Sequence, residues 1–162
     1  MSIQPKIHEA VETLNAIANA GFALAFHVRF TAPKFLFQTY SKQWLDHYSS
    51  NSLVMSDPTV AWGMQNIGTK RWSDLSADDP SGVLGKAAEY GLNYGTCYSV
   101  GTPESTSLGS LSRHDREFTQ AETAQILDAV TQLHDSLADL DTLDPDTKNQ
   151  LRAMSVRFEH SA

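Results

Sequence analysis

Phe22-Ala-Leu-Ala-Phe-His-Val-Arg-Phe30 is the stretch on which the fold turns. Phe22, Leu24, Phe26, Val28 and Phe30 alternate with Ala23, Ala25, His27 and Arg29, and a period of two places each set on its own side of a β-strand. One face is bulky and asks for a core. The opposite face is small, as a sheet lining a pocket would be.

Working outward, Ile7, Val11, Leu14, Ile17 and Ala18 recur at helical spacing over residues 3–20, and Gly21 sits where a C-terminal glycine cap falls. After Ala32 and Pro33, Lys34 to Gln38 reads as a second strand that closes a hairpin and delivers the chain to a helix near 41–49. Asp57-Pro58 gives an N-cap followed by proline at the first helical position, with Val60, Ala61, Met64 and Ile67 continuing a short helix to Gly68. Residues 69–73 suit an edge strand, 76–82 a loop and 82–90 a helix ended by Gly91. Leu92 to Val100 and Ser107 to Arg113 read as antiparallel strands about a turn at Gly101 to Glu104. Thr119 with Glu122 forms a capping box for a long helix carrying Ile126, Leu127, Val130, Leu133, Leu137 and Leu140, and Asp144-Pro145 opens a last helix bearing Leu151, Met154 and Phe158. The expected architecture is an α/β/α sandwich on about five mostly antiparallel strands.

Composition narrows the function. At 162 residues, 41% hydrophobic and 19% charged, the chain reads as one domain over 1–162, able to enclose a small ligand. A net charge of −7 with 12 Lys plus Arg and no basic stripe disfavours direct nucleic-acid binding. Lys6, His8 and Glu9 interrupt any signal-peptide core, and no run approaches spanning length, so a cytoplasmic location with no membrane contact is expected. Cys97 is the sole cysteine and the six histidines show no paired ligand spacing, so neither disulfide nor metal is expected. Cys97 in an alternating strand suits a small buried hydrophobe, and Asp78-Asp79 among Ser and Gly a solvated turn, so no catalytic group is assigned.

The candidate site is Tyr40-x3-Trp44-x3-Tyr48-x8-Asp57-Pro58-Thr59-x12-Trp72. Rings four residues apart share a helical face, and their phenol and indole tips would point at a ligand from an apolar wall. Taken singly, Asp57 is a good N-cap in any protein, Trp44 and Tyr48 are more often core packing, and a serine such as Ser112 in a strand is commonplace. The ordered set is more specific. Together with Tyr90-Gly91-Leu92-Asn93-Tyr94-Gly95 and Leu108-Gly109-Ser110-Leu111-Ser112 it resembles the ligand domain of LuxR-type quorum-sensing receptors, which bind N-acyl-homoserine lactones.

The resemblance implies an α/β/α sandwich related to GAF and PAS sensor folds, with the ligand between the sheet and one helical layer. Such a lactone offers two carbonyls and one amide N–H, so a dry pocket must supply two donors and one acceptor. Trp44, donor only, suits the lactone carbonyl, and ionised Asp57, acceptor only, suits the amide N–H. By the same carry-over Tyr40 and Ser112 can donate to the amide carbonyl and Thr59 orients Asp57. Trp72 packs on the lactone ring and Tyr48 lines the passage to the acyl tail.

Full-length receptors of this type add a helix-turn-helix domain, which this sequence does not contain. The resemblance therefore implies a non-enzymatic sensor that buffers a lactone, or a module forming a homodimer or a heterodimer with a full-length receptor, through the helix at 119–140 and the final helix. A module of this second kind would inhibit the receptor without needing ligand. A third reading, an acyl-group hydrolase on a related sandwich, predicts consumption of the lactone.

Overall fold

A computed structural model describes residues 4–29, 33–138, 145–146 and 148–149. The chain runs α1 (Gln4–Ile17), β1 (Gly21–Val28), β2 (Phe35–Gln38), α2 (Lys42–Ser50), α3 (Pro58–Gln65), β3 (Gly68–Arg71), α4 (Val83–Glu89), β4 (Tyr94–Thr102), β5 (Ser105–Arg113) and α5 (Gln120–Ser136), with short 3₁₀ turns around α3 and β3. The five strands form one antiparallel sheet in the order β2-β1-β5-β4-β3. The expected last helix, with Leu140, lies for the most part outside the described residues.

The two faces of the sheet differ as the alternation in β1 requires. Phe22, Leu24 and Phe26 join Phe35 and Phe37 of β2, Tyr98 and Val100 of β4 and Leu111 of β5 in the main core, covered by α1 and α5. Ile7, Val11 and Leu14 of α1 and Ile126, Val130 and Leu133 of α5 complete it. All of α5's apolar residues from Ile126 to Leu137 pack into or against this core, and the helix leaves polar residues outside. Burying each such side chain stabilises the fold by about 1.5–3 kcal/mol before entropy is counted. Arg113 fastens the layer by donating to the Ile17 carbonyl at 2.7 Å while holding Asp115 at 2.9 Å.

The other face carries α2, α3 and α4. Here Ala23 of β1 and Cys97 of β4 meet Tyr40, Trp44, Trp72, Val83, Ala87 and Leu92 in a second cluster. Local sequence sets these helices. Ser41 Oγ accepts from the Trp44 N–H to start α2, and the Asp57 carboxylate accepts from the Thr59 N–H with Pro58 in the first turn of α3. Asp79, expected in a solvated turn, accepts from the backbone of Val83 and Leu84 at 2.9 Å each and so caps α4.

One departure from simple alternation occurs in β1. Its pairing with β5 slips between Ala25 and Val28, and His27 takes φ 53°, the left-handed region that is strained for a non-glycine residue. The bulge turns His27 away from the small face to stack on His134 of α5, ring centroids 4.1 Å apart.

Candidate functional site

Three segments converge on the second cluster: the start of α2, the start of α3, and the 3₁₀ turn Trp72–Asp74 after β3. Tyr40 and Trp44 are buried at 5% and 4% exposure, with Asp57, Thr59 and Trp72 each at 8%. Tyr48 is half-buried and lies ring against ring with Trp44, centroids 5.6 Å apart. Trp44 also meets Tyr90 at 5.4 Å and His47 at 5.9 Å.

The carboxylate of Asp57 organises the polar side. Its Oδ1 accepts from the Thr59 N–H at 2.9 Å and the Thr59 hydroxyl at 2.7 Å, and its Oδ2 accepts from the Tyr48 hydroxyl at 2.7 Å. One side chain therefore both caps α3 and gathers the hydroxyls of Tyr48 and Thr59. Burial, then the nearby Asp57 charge, pushes the Tyr48 and Tyr40 phenols well above their ordinary value, so both stay protonated donors.

The sheet supplies the floor. Tyr40's hydroxyl donates to the Ser110 carbonyl at 3.1 Å, and the Trp72 indole donates to the Ser110 hydroxyl at 3.0 Å. Ser110 pairs across the strands with Cys97, whose thiol burial pushes up to about 12 while a bond from Ser110 opposes the rise. Trp72 lies flat on Gly95, where any Cβ would overlap the indole. That close approach is what the glycine in the Tyr94-Gly95 pair provides.

Of the expected site residues, Tyr40, Trp44 and Trp72 gather in one cluster, with Tyr48 packed against it. The side chains of Tyr48 and Thr59 meet on Asp57. Ser112 lies on the same face of β5 as Ser110, fully buried, but its hydroxyl donates to the Tyr94 carbonyl at 2.8 Å. Ser110 was absent from the sequence-derived set. Strand parity could have found it, since 108, 110 and 112 share a face.

The Trp44 indole N–H has no hydrogen-bond partner among the described residues, although its side chain is buried. A solvent-open cleft of about 540 Å³ lies between α2 and α4, walled by His47, Leu53, Lys86 and Glu89, and Val83 at its edge belongs to the aromatic cluster. Among the described residues there is no group of three metal-ligating side chains and no helix long and apolar enough to cross a membrane.

Comparison with known proteins gives a consistent result. The sequence profile of the autoinducer binding domain matches residues 9–137. The transcriptional activator protein SolR of Ralstonia solanacearum is 32% identical over 92 residues, which are 56% of this chain and 39% of SolR. The chain thus spans about two fifths of the curated relative's length. Among solved structures, SdiA in complex with octanoyl-rac-glycerol superposes at a TM-score of 0.61 and 19% identity, covering 90% of this chain and 64% of that one. The LuxR family factor CepR2 from Burkholderia cenocepacia, described as N-acylhomoserine lactone dependent, gives 0.56 and 14%, covering 83% and 98%. These structural likenesses establish the shared fold.

Proposed function

We propose, from the premise that this chain belongs to the autoinducer-binding domain family of LuxR-type regulators, that it binds an N-acyl-homoserine lactone or close analogue between the sheet and the α2–α4 layer. That family consists of ligand-binding domains of transcriptional regulators and is not an enzyme family. We place this one in the cytoplasm as a non-enzymatic sensor without a cofactor. The observation that supports the reading best is the pairing of an unpartnered indole donor, on an otherwise buried ring, with a held acceptor. Tyr48 links the two: its ring lies against Trp44 and its hydroxyl holds Asp57.

In this reading the Trp44 N–H meets the lactone carbonyl and Asp57 accepts the amide N–H with charge assistance. Thr59 and Tyr48 fix the carboxylate, and Tyr40 and Trp72 wall the ring. Because the ligand would sit within folded structure only, binding raises the unfolding free energy, by about 2.7 kcal/mol at a hundredfold excess over Kd. A lactone panel varying acyl length and 3-position substituent, read by thermal shift, tests this. The expected outcome is a raised melting temperature with at least one member at micromolar concentration. No shift with any member overturns it, and loss of lactone by mass spectrometry would instead indicate hydrolysis.

A second reading, a module that heterodimerises with a full-length LuxR-type regulator without needing ligand, draws support from exposed apolar side chains. Met55 is 84% exposed, and Val54, Met64 and Ile67 are at least half exposed, all beside α3. Ligand-free co-purification with such a regulator, abolished by Met55→Lys, is its expected signature.

A further inference from the structure

We propose that Ser110, rather than Ser112, is the hydroxyl that donates to the acyl carbonyl of the ligand. The assignment rests on the lactone reading of this site and adds a residue to it. A hydroxyl has one proton, so each buried donor in the cluster can be followed to its acceptor. Ser112 donates to the Tyr94 carbonyl, Tyr40 to the Ser110 carbonyl, Thr59 to Asp57 and Ser99 to the Gly63 carbonyl at 2.8 Å. The Trp72 indole, which can only donate, goes to the Ser110 hydroxyl. Ser110 Oγ is therefore an acceptor in that bond and keeps its own proton free.

On this face of the sheet two donors of buried residues remain uncommitted to a strong acceptor: the Trp44 N–H and the Ser110 O–H. A lactone has two carbonyls and one amide N–H, and Asp57 supplies the acceptor, so the count closes. Without ligand, the Ser110 side chain has only Cys97 opposite it across the strands, a thiol whose rise on burial Ser110 opposes. Sulfur is a weak acceptor. An amide carbonyl is a stronger one, so the proton transfers its bond from thiol to ligand. The Trp72 bond occupies one lone pair of Ser110 Oγ and so limits the directions in which its proton can point.

The test uses the lactone giving the largest thermal shift and its thioamide analogue, whose sulfur accepts poorly. Isothermal titration compares the wild type with Ser110→Ala, Ser110→Cys and Ser112→Ala. Ser110→Ala is expected to weaken the amide ligand about tenfold and the thioamide less than about threefold, with Ser112→Ala inside about threefold for both. Ser110→Cys keeps the volume with a weak donor and is expected to follow Ser110→Ala, which covers the case where alanine impairs folding. Equal losses for amide and thioamide, unchanged affinity in Ser110→Ala, or a tenfold loss confined to Ser112→Ala overturns the assignment. A wild type that binds no lactone overturns the lactone reading and this assignment with it. A wild type that binds while Ser110→Ala is indifferent removes Ser110 alone.

Discussion

At the scale of single residues, the site and the core make opposite demands on buried polar atoms. Trp44→Phe removes a donor and Asp57→Asn a charged acceptor, so each is expected to weaken lactone affinity by more than about tenfold, or about 1.4 kcal/mol, in titration calorimetry. Asp57→Asn also loosens the cap of α3, since Asn retains only part of the carboxylate's accepting capacity. On the other face, the fully buried Tyr98 hydroxyl stands near Thr96 and Thr123 without bonding geometry to either, among the described residues. Tyr98→Phe is therefore expected to leave stability unchanged or raise it by up to about 1 kcal/mol in urea unfolding, because an unmet hydroxyl is removed. Much of the candidate cluster was legible because Trp44, Asp57 and Trp72 each do one kind of chemistry, and residue type declares it. Ser110 was not, because a serine-rich strand offers several equivalent hydroxyls and only the partners of each separate them. Nothing in the sequence says that Ser112 gives its proton to Tyr94.

At the scale of elements, the period of two in β1 and the 3.6-residue period in α1 and α5 made those elements readable, with ends shifted by only a few residues. What sequence could not give was the bulge at Ala25–Val28, since pattern carries the alternation but not the register slip that reverses His27. Its consequence is a locked contact between β1 and α5. His27 Nε2 donates to the His134 carbonyl at 2.6 Å, its Nδ1 meets the Ser105 hydroxyl at 2.6 Å, and His134 Nδ1 meets Ser107 at 2.6 Å. Burial, and then the neighbouring His27, lower the pKa of His134 below 6.5, against a smaller opposing pull from Asp135. A depressed histidine is neutral when folded and protonates first when unfolded. Its stabilisation is complete above the unfolded value and is lost as pH falls from there through the folded one. The urea midpoint is expected to drop as pH falls through about 6.5 and below, and His134→Phe to flatten that slope. The Thr119 capping box gives a simpler test: Thr119→Ala is expected to cost about 1 kcal/mol in the same measurement.

At the scale of the whole molecule, the sandwich and its helical layers followed from element order, while the direct seating of Trp72 on β4 did not. It depends on a 3₁₀ turn that folds the indole back onto Gly95. Gly95→Ala is expected to displace that ring, costing about 1–3 kcal/mol, red-shifting tryptophan emission and abolishing the thermal shift by lactone. Gly109→Ala, whose Cβ would overlap the Ala23 carbonyl of β1, is expected to disrupt β1–β5 pairing and stability in the absence of any ligand. The contrast separates a site defect from a fold defect. The sheet itself acts as a partition, with the phenylalanines of β1 and β2 pressed on one side and mostly small residues, Ala23, Ala25, Cys97, Ser110 and Ser112 among them, on the other. Under the proposed reading, evolution can retune which signal is heard by trading small residues on one surface of a single layer of backbone, while the scaffold's own durability resides behind it.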